Sequence, residues 1–312
     1  MTVVPVAIEG PSRCGGGEQN DGEKRAHQRD RPAKPTGDHR RPPFLGSRKR
    51  PDSTAVPMPV QGAGLHSVPM RVLFLGTRGE IEARSRRHAR HSAVLVGEVA
   101  GDVMVDCGAD WLEELERLDP VAIVLTHAHP DHVAGLKRGA ACPVYATDET
   151  WRAIDRYPLA DRVVVHTETP FEIAGLRLAA FAVDHSLRAP AVGYRVEEGG
   201  ASLAYVPDVA RIADPRSALG GVDLYVGDGA SVTRGILRRR GGVPIGHASI
   251  RTQLGWCAEA GVREALFTHG GSQIVRGDER ALSGRVAELG RAVGVRAGLA
   301  FDGLELRLPG SL

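Results

Sequence analysis

Three imidazoles and one carboxylate are concentrated in one short segment of the chain. The segment follows the apolar stretch Val121 to Leu125 directly and reads Thr126, His127, Ala128, His129, Pro130, Asp131, His132. Neutral imidazole nitrogens and carboxylate oxygens are the ligands that divalent zinc prefers. In a loop after a strand, His127 and His129 turn to one side, and Asp131 and His132 are left to face a neighbouring metal position. The spacing therefore predicts a metal site, with two cations geometrically feasible, whereas a polar turn of structural histidines is the alternative.

A metal in this segment needs further ligands from other parts of the chain. Three residues share the placement of His127, just past a predicted strand: His185, Asp208 and His269. The strands they follow are Leu176 to Val183, Ser202 to Val206 and Ala265 to Phe267. Their shared placement predicts that they converge on the histidine segment. Asp208 is the natural bridge between two cations, because a carboxylate has two oxygens to share.

Short apolar runs separated by turn residues dominate the chain after Met70, and helical periodicity is rarer. Helices are predicted at Trp111 to Leu118, Asp131 to Arg138, Glu149 to Arg156, Ile250 to Ala260 and Glu279 to Val293. So many short strands need both a partner sheet and a helical cover. The pattern therefore predicts an α/β (α+β) fold in which two mixed sheets pack together with helices on their outer faces.

Composition narrows the classes of protein that the chain can represent. A length of 312 residues and a hydrophobic content of 42% suffice for a large core. No stretch reaches about 18 continuous apolar residues, which argues against a membrane span. The residues Met1 to Glu9 lack the features of a signal peptide. The four cysteines include no Cys-x-x-Cys pair, which favours a location in the reducing cytoplasm over a disulfide framework. They are Cys14, Cys107, Cys142 and Cys257.

The segment 1–69 differs from the rest of the chain. It carries 11 lysines and arginines against seven aspartates and glutamates, ten of the 20 prolines and one aromatic residue, Phe44. So little apolar surface cannot offset the entropy of ordering, which predicts a disordered basic tail before a single domain at 70–312. Its basic residues are either solvated or bind an acidic partner such as nucleic acid. Alternatively, translation begins at Met70, where the first predicted strand starts.

Taken in order, these motifs resemble those of the metallo-β-lactamase-fold hydrolases over essentially all of residues 70–312. The resemblance rests on Gly76 to Gly79, the turn Asp106 to Gly108, Thr126 to His132 with Gly135, and then His185, Asp208 and His269. It implies a four-layer αββα sandwich with a dinuclear site at one edge of the sheets. It also implies one metal on His127, His129 and His185, a second on Asp131, His132 and His269, and Asp208 as the bridge.

The turn Gly246, His247, Ala248, Ser249 resembles the phosphodiesterase branch of these enzymes, which includes tRNase Z and the cyclic phosphodiesterases. In that branch a histidine that is not a metal ligand lies near the leaving group, and in tRNase Z an acidic residue about twenty positions earlier partners it. The corresponding residues here are His247 and Asp228, an Asp where tRNase Z has Glu. Capping of a helix is the alternative role for His247. The chain lacks a Gly- and Lys-rich insertion and has Gly270, Gly271, Ser272 after His269, which argues against a tRNA-processing enzyme.

The hypothesis from the sequence is metal-dependent hydrolysis of an anionic small-molecule or nucleic-acid phosphodiester. Two divalent cations, with zinc expected and manganese or iron as alternatives, activate a water that Asp131 orients. His247 then protonates the leaving oxygen as general acid, and Arg78 binds an anionic group of the substrate. A homodimer is left open.

Two other functions remain as alternatives at this point. The same seven ligands serve acyl-bond hydrolases such as thioesterases, lactonases and lactamases. A metal-bearing scaffold that binds nucleic acid through its basic tail and catalyses nothing is the third reading.

Overall fold

Residues 69–97 and 100–310 are described by the structure, which is a computed structural model. The predicted tail lies outside these residues except for Pro69, and its division from a domain at 70–312 stays a prediction. Among the described residues, no helix is both long and apolar enough to span a bilayer.

The first sheet has seven strands, of which the long β1 shows the alternation that one buried face requires. In spatial order its strands are β16 (Glu305–Leu308), β1 (Met70–Gly76), β2 (Ala93–Val96), β3 (Val103–Val105), β4 (Ala122–Val124), β5 (Val144–Ala146) and β6 (Arg162–Val164). The pairs from β16 to β3 are antiparallel and those from β3 to β6 are parallel. Met70, Val72 and Phe74 are buried, with half-buried residues between them.

The second sheet repeats this arrangement with seven other strands. In spatial order they are β15 (Arg296–Leu299), β14 (Glu264–Thr268), β11 (Leu224–Asp228), β10 (Ala201–Tyr205), β9 (Ala191–Glu198), β8 (Leu176–Val183) and β7 (Phe171–Ile173). The pairs from β7 to β10 are antiparallel and those from β10 to β15 are parallel. Both sheets are therefore mixed, as the sequence predicted.

Seven α-helices and two short 3-10 helices, Ala109–Trp111 and Ala134–Leu136, accompany the sheets in the described chain. The α-helices are α1 (Leu115–Leu118), α2 (Pro130–Val133), α3 (Asp148–Ala153), α4 (Pro215–Leu219), α5 (Ile250–Ala260), α6 (Ser272–Arg276) and α7 (Glu279–Arg291). The hydroxyl of Ser249 caps α5 by accepting from the backbone N–H of Thr252. The helix predicted at Ile250 to Ala260 is confirmed residue for residue. The helix predicted from Asp131 is shorter, because α2 ends at Val133 and gives way to a 3-10 turn.

Three clusters of buried apolar side chains fill the three spaces between four layers of helices and sheets. One cluster, which includes Phe74, Val124 and Tyr194, fills the space between the two sheets. A second packs the helices around Trp111 and Trp151 on the first sheet, and a third packs α5 and its neighbours on the second. The predicted αββα sandwich is confirmed.

The strand ends that carry the predicted ligands meet at one edge of the sandwich. Parallel β10, β11 and β14 end next to one another, so Asp208, Asp228 and His269 leave the second sheet at the same edge. The two sheets are joined there by hydrogen bonds. The N–H of Val192 donates to the carbonyl of Thr126 at 3.0 Å, and the N–H of His269 donates to Ser92 Oγ at 2.9 Å. These bonds hold ligands from both sheets in register.

A separate two-stranded hairpin lies beside this edge and was not predicted. Its strands are β12 (Ile236–Arg240) and β13 (Val243–His247), which pair antiparallel around the two-residue loop Gly241–Gly242. Both loop glycines have positive φ, +57° and +81°, which a type I′ turn requires. Every residue of β12 is exposed, so the strand lacks the apolar alternation that marks a strand in a sequence.

Gly108 allows the segment that carries Asp131 and His132 to approach β3 closely. A Cβ at Gly108 would lie 1.9 Å from the carbonyl oxygen of Asp131. Because backbone must move to relieve this clash, we expect Gly108→Ala to destabilise the protein by about 1–3 kcal/mol in urea unfolding. Gly255→Ala is the matched control, since Gly255 is exposed in α5 with open space around it and gains about 0.8–1 kcal/mol of helix propensity. Equal stability of the two variants would contradict the close-packing argument.

Candidate metal centre

Three histidines form the first cluster at the edge of the sandwich. The distance from His127 Nε2 to His129 Nδ1 is 2.9 Å, and that from His129 Nδ1 to His185 Nε2 is 3.2 Å. Two nitrogens that bind one tetrahedral zinc at 2.0–2.1 Å lie about 3.3 Å apart. The three imidazoles therefore present their nitrogens at the spacing of ligands that share a cation.

The protonation state of this cluster suits metal binding. Burial, followed by the neighbouring imidazoles, lowers the pKa of His127 well below its usual range and lowers the pKa of His129 to about 4. His185 Nδ1 lies 3.0 Å from the carbonyl oxygen of Gly246, which can only accept, so Nδ1 carries the hydrogen. Its Nε2 is then left with a lone pair that faces the cluster.

The second cluster contains Asp131, His132, Asp208 and His269, all of them buried. The distance from His132 Nε2 to Asp208 Oδ2 is 2.6 Å, and that from His269 Nε2 to Asp131 Oδ2 is 3.0 Å. Burial acts to lower the pKa of His132, yet Asp131, Asp106 and Asp208 together raise that pKa well above its usual range. Surroundings that raise an imidazole pKa favour positive charge, which a divalent cation would supply.

Asp208 lies between the two clusters. Its Oδ1 is 3.8 Å from His185 Nε2, and its Oδ2 is 3.9 Å from His127 Nε2 and 3.3 Å from His269 Nε2. Burial acts to raise the pKa of Asp208, but His269, His185 and His132 outweigh it and hold that pKa well below the usual range. The carboxylate is therefore ionised in the position that a bridging ligand would take.

Two orphaned polar atoms show that a cation fits this geometry. His132 Nε2 and Asp208 Oδ2 are fully buried, and neither has a hydrogen-bond partner among the described residues although they face each other. A buried polar atom without a partner costs about 1–3 kcal/mol. A cation that both atoms bind would remove this penalty, so the residues present fit a divalent metal.

Asp106 supports the second cluster from behind, a role that the sequence analysis did not assign to it. Its Oδ2 lies 2.8 Å from His132 Nδ1, and its Oδ1 accepts from the backbone N–H of Thr126 at 2.8 Å. The carboxylate thereby fixes the His132 ring so that Nε2 faces the cluster. Its position in the sequence could have indicated this role. Asp106 follows β3, which is the parallel neighbour of the strand that leads to His127.

We expect Asp106→Asn to weaken metal binding about 10- to 100-fold, because the amide keeps the shape but loses the charge that orients His132. Titration against a competing chelator measures this affinity. Asp102→Asn is the control, since it removes the same charge from a half-exposed ion pair with Arg71. Similar metal affinity in both variants would rule out the supporting role of Asp106.

His247 and Asp228 also meet at this site. His247 Nδ1 lies 2.8 Å from Asp228 Oδ2 and 3.2 Å from Asp208 Oδ1, which leaves Nε2 for another partner. Burial acts to lower the pKa of His247, but the carboxylate of Asp228 and then that of Asp208 raise it to about 9. Gln253, which sequence reasoning missed, donates to the carbonyls of both Asp228 and Ala248 and so joins the two segments.

Arg78 does not join the other predicted site residues. Its side chain is 3% exposed, and its guanidinium donates to the carbonyls of Gly79, Ile81 and Ala89 and to Asp110 Oδ2. The side chain therefore holds the loop that follows β1 and is not among the residues that line the cavity. The predicted substrate contact by Arg78 is therefore replaced by a structural role in this loop.

A cavity of about 670 Å³ opens onto the two clusters. Its lining includes five of the seven predicted ligands, His247, and the side chains Glu80, Ile81, Ser231, Ile236 and Gln273. Glu80 has its pKa raised by burial and then by Asp131. The buried ligand atoms therefore remain accessible to a small reacting group from one side.

Residues 102–270, more than half of the chain, match the beta-lactamase superfamily domain. The chain belongs to the beta-lactamase superfamily. The matched range contains all seven predicted ligands together with Asp228 and His247. Members of this superfamily typically hold divalent metals, in agreement with the two clusters.

Curated relatives of this superfamily member differ in activity. It is 29% identical over 160 residues to ribonuclease Z of Methanopyrus kandleri, covering 46% of the chain and 53% of the relative. It is 28% identical over 156 residues to an octanoyltransferase of Porphyromonas gingivalis, covering 42% of the chain and 30% of the relative. The chain thus spans about half or less of the length of these relatives. The first match relates it to the tRNase Z branch.

A solved structure shows the same fold over nearly its whole length. The metallo-beta-lactamase fold protein YhfI from Bacillus subtilis has a TM-score of 0.61 and 18% identity, covering 77% of this chain and 99% of YhfI. At this identity the likeness shows the fold. The superfamily and the architecture are therefore supported independently.

Proposed function

We propose that the chain is a dinuclear metal-dependent phosphodiesterase. In this proposal His127, His129 and His185 hold one cation, and Asp131, His132 and His269 hold the other. Asp208 bridges them, in line with its contacts to both clusters. Zinc is the metal that this set of nitrogen and carboxylate donors favours.

The observation that carries the proposal is an imidazole outside the ligand set, held by a buried carboxylate at the cavity. Asp228 is fully buried and its Oδ2 fixes His247 Nδ1 at 2.8 Å. His247 Nε2 is then presented to a group in the cavity as a proton donor. A phosphodiester needs such a donor, because its leaving oxygen departs as an alkoxide unless it receives a proton.

The reaction forms a bond from a water oxygen to phosphorus and breaks the bond from phosphorus to the leaving oxygen. Bound divalent cations supply Lewis acidity and lower the pKa of water toward neutrality. Asp131 orients the attacking water, which releases one proton to solvent. His247 gives its Nε2 proton to the leaving oxygen and regains one from solvent. The carboxylate of Asp228 stabilises the charged form of the imidazole that this step requires.

The relationship to ribonuclease Z agrees with this chemistry, because RNA is a phosphodiester polymer. Hydrolysis of an acyl bond is the competing reaction, since the same ligands can serve attack on an acyl carbon. Metal analysis of the purified chain, combined with chromogenic phosphodiester, thioester and lactone substrates, separates the two. We expect about two metals per chain and turnover of the phosphodiester. A metal-replete protein that cleaves only the thioester or the lactone would overturn the proposal.

A further inference from the structure

The hairpin formed by β12 and β13 carries an unusual concentration of positive charge. Arg234, Arg238, Arg239 and Arg240 lie on or next to β12, and all four are exposed. The sequence contains no aspartate or glutamate from Gly229 to Ala258. The hairpin therefore has no acidic residue of its own to balance these charges.

These arginines also lack acidic partners elsewhere in the described residues. Several exposed arginines on other elements form ion pairs, such as Arg138 with Glu113 and Arg216 with Glu259. On the hairpin, Arg239 donates to the carbonyl of Gly242, and the other three arginine side chains make no ion pair or hydrogen bond within the described parts of the chain. Their guanidinium groups are therefore available to an anionic partner.

The strand register aligns part of this charge with the cavity. Ile236 pairs with His247, Arg238 with Ile245, and Arg240 with Val243, so these side chains share one face of the hairpin. Ile236 and His247 line the cavity. Arg238 and Arg240 then follow at steps of about 6.7 Å along the strand. A row of cations thus leads outward from the proposed reaction site.

We propose that this face binds the backbone phosphates of a single-stranded polynucleotide whose scissile diester occupies the cavity. The inference rests on the proposed phosphodiesterase function and extends it to a substrate class. Guanidinium groups bind phosphate oxygens in bidentate fashion, and a regular row of them matches a chain of phosphates. Four of the proposed ligands are at most 5% exposed, namely Asp131, Asp208, His185 and His269. The reacting bond must therefore enter a cleft, which a flexible single strand can do and a smooth duplex cannot.

The test compares the double variant Arg238→Glu, Arg240→Glu with the unaltered full-length chain. The matched control is the double variant Arg280→Glu, Arg291→Glu. It reverses the charge of two exposed arginines on α7 that make no ion pair among the described residues. Binding is measured by fluorescence anisotropy with labelled single-stranded RNA and DNA of about 20 nucleotides. Salt is varied from about 50 to about 200 mM, because phosphate contacts give a steep salt dependence. Vesicles containing an anionic lipid form a further arm.

Kinetics supply a second readout that separates this inference from the proposed function. The ratio of kcat/KM for the oligonucleotide to kcat/KM for a small chromogenic diester should fall about tenfold or more in the hairpin variant. The salt slope of binding should decrease by about one per arginine. The control pair should keep both values within about twofold of those of the unaltered chain.

Each outcome then has a distinct meaning. Failure of the unaltered chain to hydrolyse any diester would remove the proposed function, while arginine-dependent oligonucleotide binding would still support the hairpin as a nucleic-acid site. Equal oligonucleotide binding by the hairpin variant and the control would overturn the inference. Binding of anionic vesicles without binding of oligonucleotides would overturn it as well and would assign the hairpin to a lipid surface.

Discussion

Asp208→Ala is expected to remove most of the bound metal and to lower kcat/KM for a phosphodiester by at least about 1,000-fold. The carboxylate contacts imidazoles of both clusters, and its loss leaves those imidazoles without the negative charge that lies between them. Bound divalent cations would stabilise the transition state by several kcal/mol, and each 1.36 kcal/mol is a factor of ten in rate. Metal content by mass spectrometry and steady-state kinetics measure the two losses.

The control for this substitution is Asp155→Ala, which removes an exposed carboxylate that makes no ion pair among the described residues. It should keep metal content and rate unchanged. Circular dichroism establishes that both variants are folded. If the Asp208 variant kept two metals and at least a tenth of the original rate, the bridging role would be wrong.

His247→Ala should slow turnover about 100-fold or more while both metals stay bound. His247 lies outside the ligand set of the proposal, and Asp228 fixes its Nδ1 so that only Nε2 faces the cavity. Loss of a general acid costs about 10²–10⁴ in rate. Kinetics and metal analysis on the same preparation test both halves of the prediction.

The choice of leaving group sharpens this test. A general acid matters most when the leaving oxygen is basic, so the loss should be larger for a dinucleotide than for bis-p-nitrophenyl phosphate. His247→Asn, which cannot donate from an acidic N–H, should show the same pattern. An equal loss on both substrates, accompanied by a loss of metal, would instead assign His247 to the ligands.

The agreement between sequence and structure is best where a residue follows a strong periodic element. His185 and His269 follow β8 and β14, whose apolar patterns are clear in the sequence, and the structure brings both to the histidine segment. The capped helix α5 begins at the predicted residue because Ser249 supplies a local hydrogen bond. Such features depend on neighbours in the chain, so the sequence contains their cause.

The features that the sequence analysis missed depend on contacts between distant segments. The hairpin of β12 and β13 buries little and so lacks apolar alternation, although its Gly241–Gly242 loop was a usable turn signal. Arg78 was expected to bind an anionic group of the substrate because it lies in a polar, mostly basic segment after the first strand. Its burial follows from the carbonyls and the Asp110 carboxylate that surround it, and Asp110 is 32 residues away in sequence.

Residue patterns along the chain predict the strand-rich sandwich, the spacing of the histidine segment, and the placement of candidate ligands just past strand ends. Periodicity and local turns encode these properties, because each depends on residues that are close together in the chain. Two relations became visible only in the folded chain: Asp106 stands behind His132, and a row of arginines leads to the cavity. Those relations depend on which strands become neighbours and in which register, and that is decided by the packing of two whole sheets.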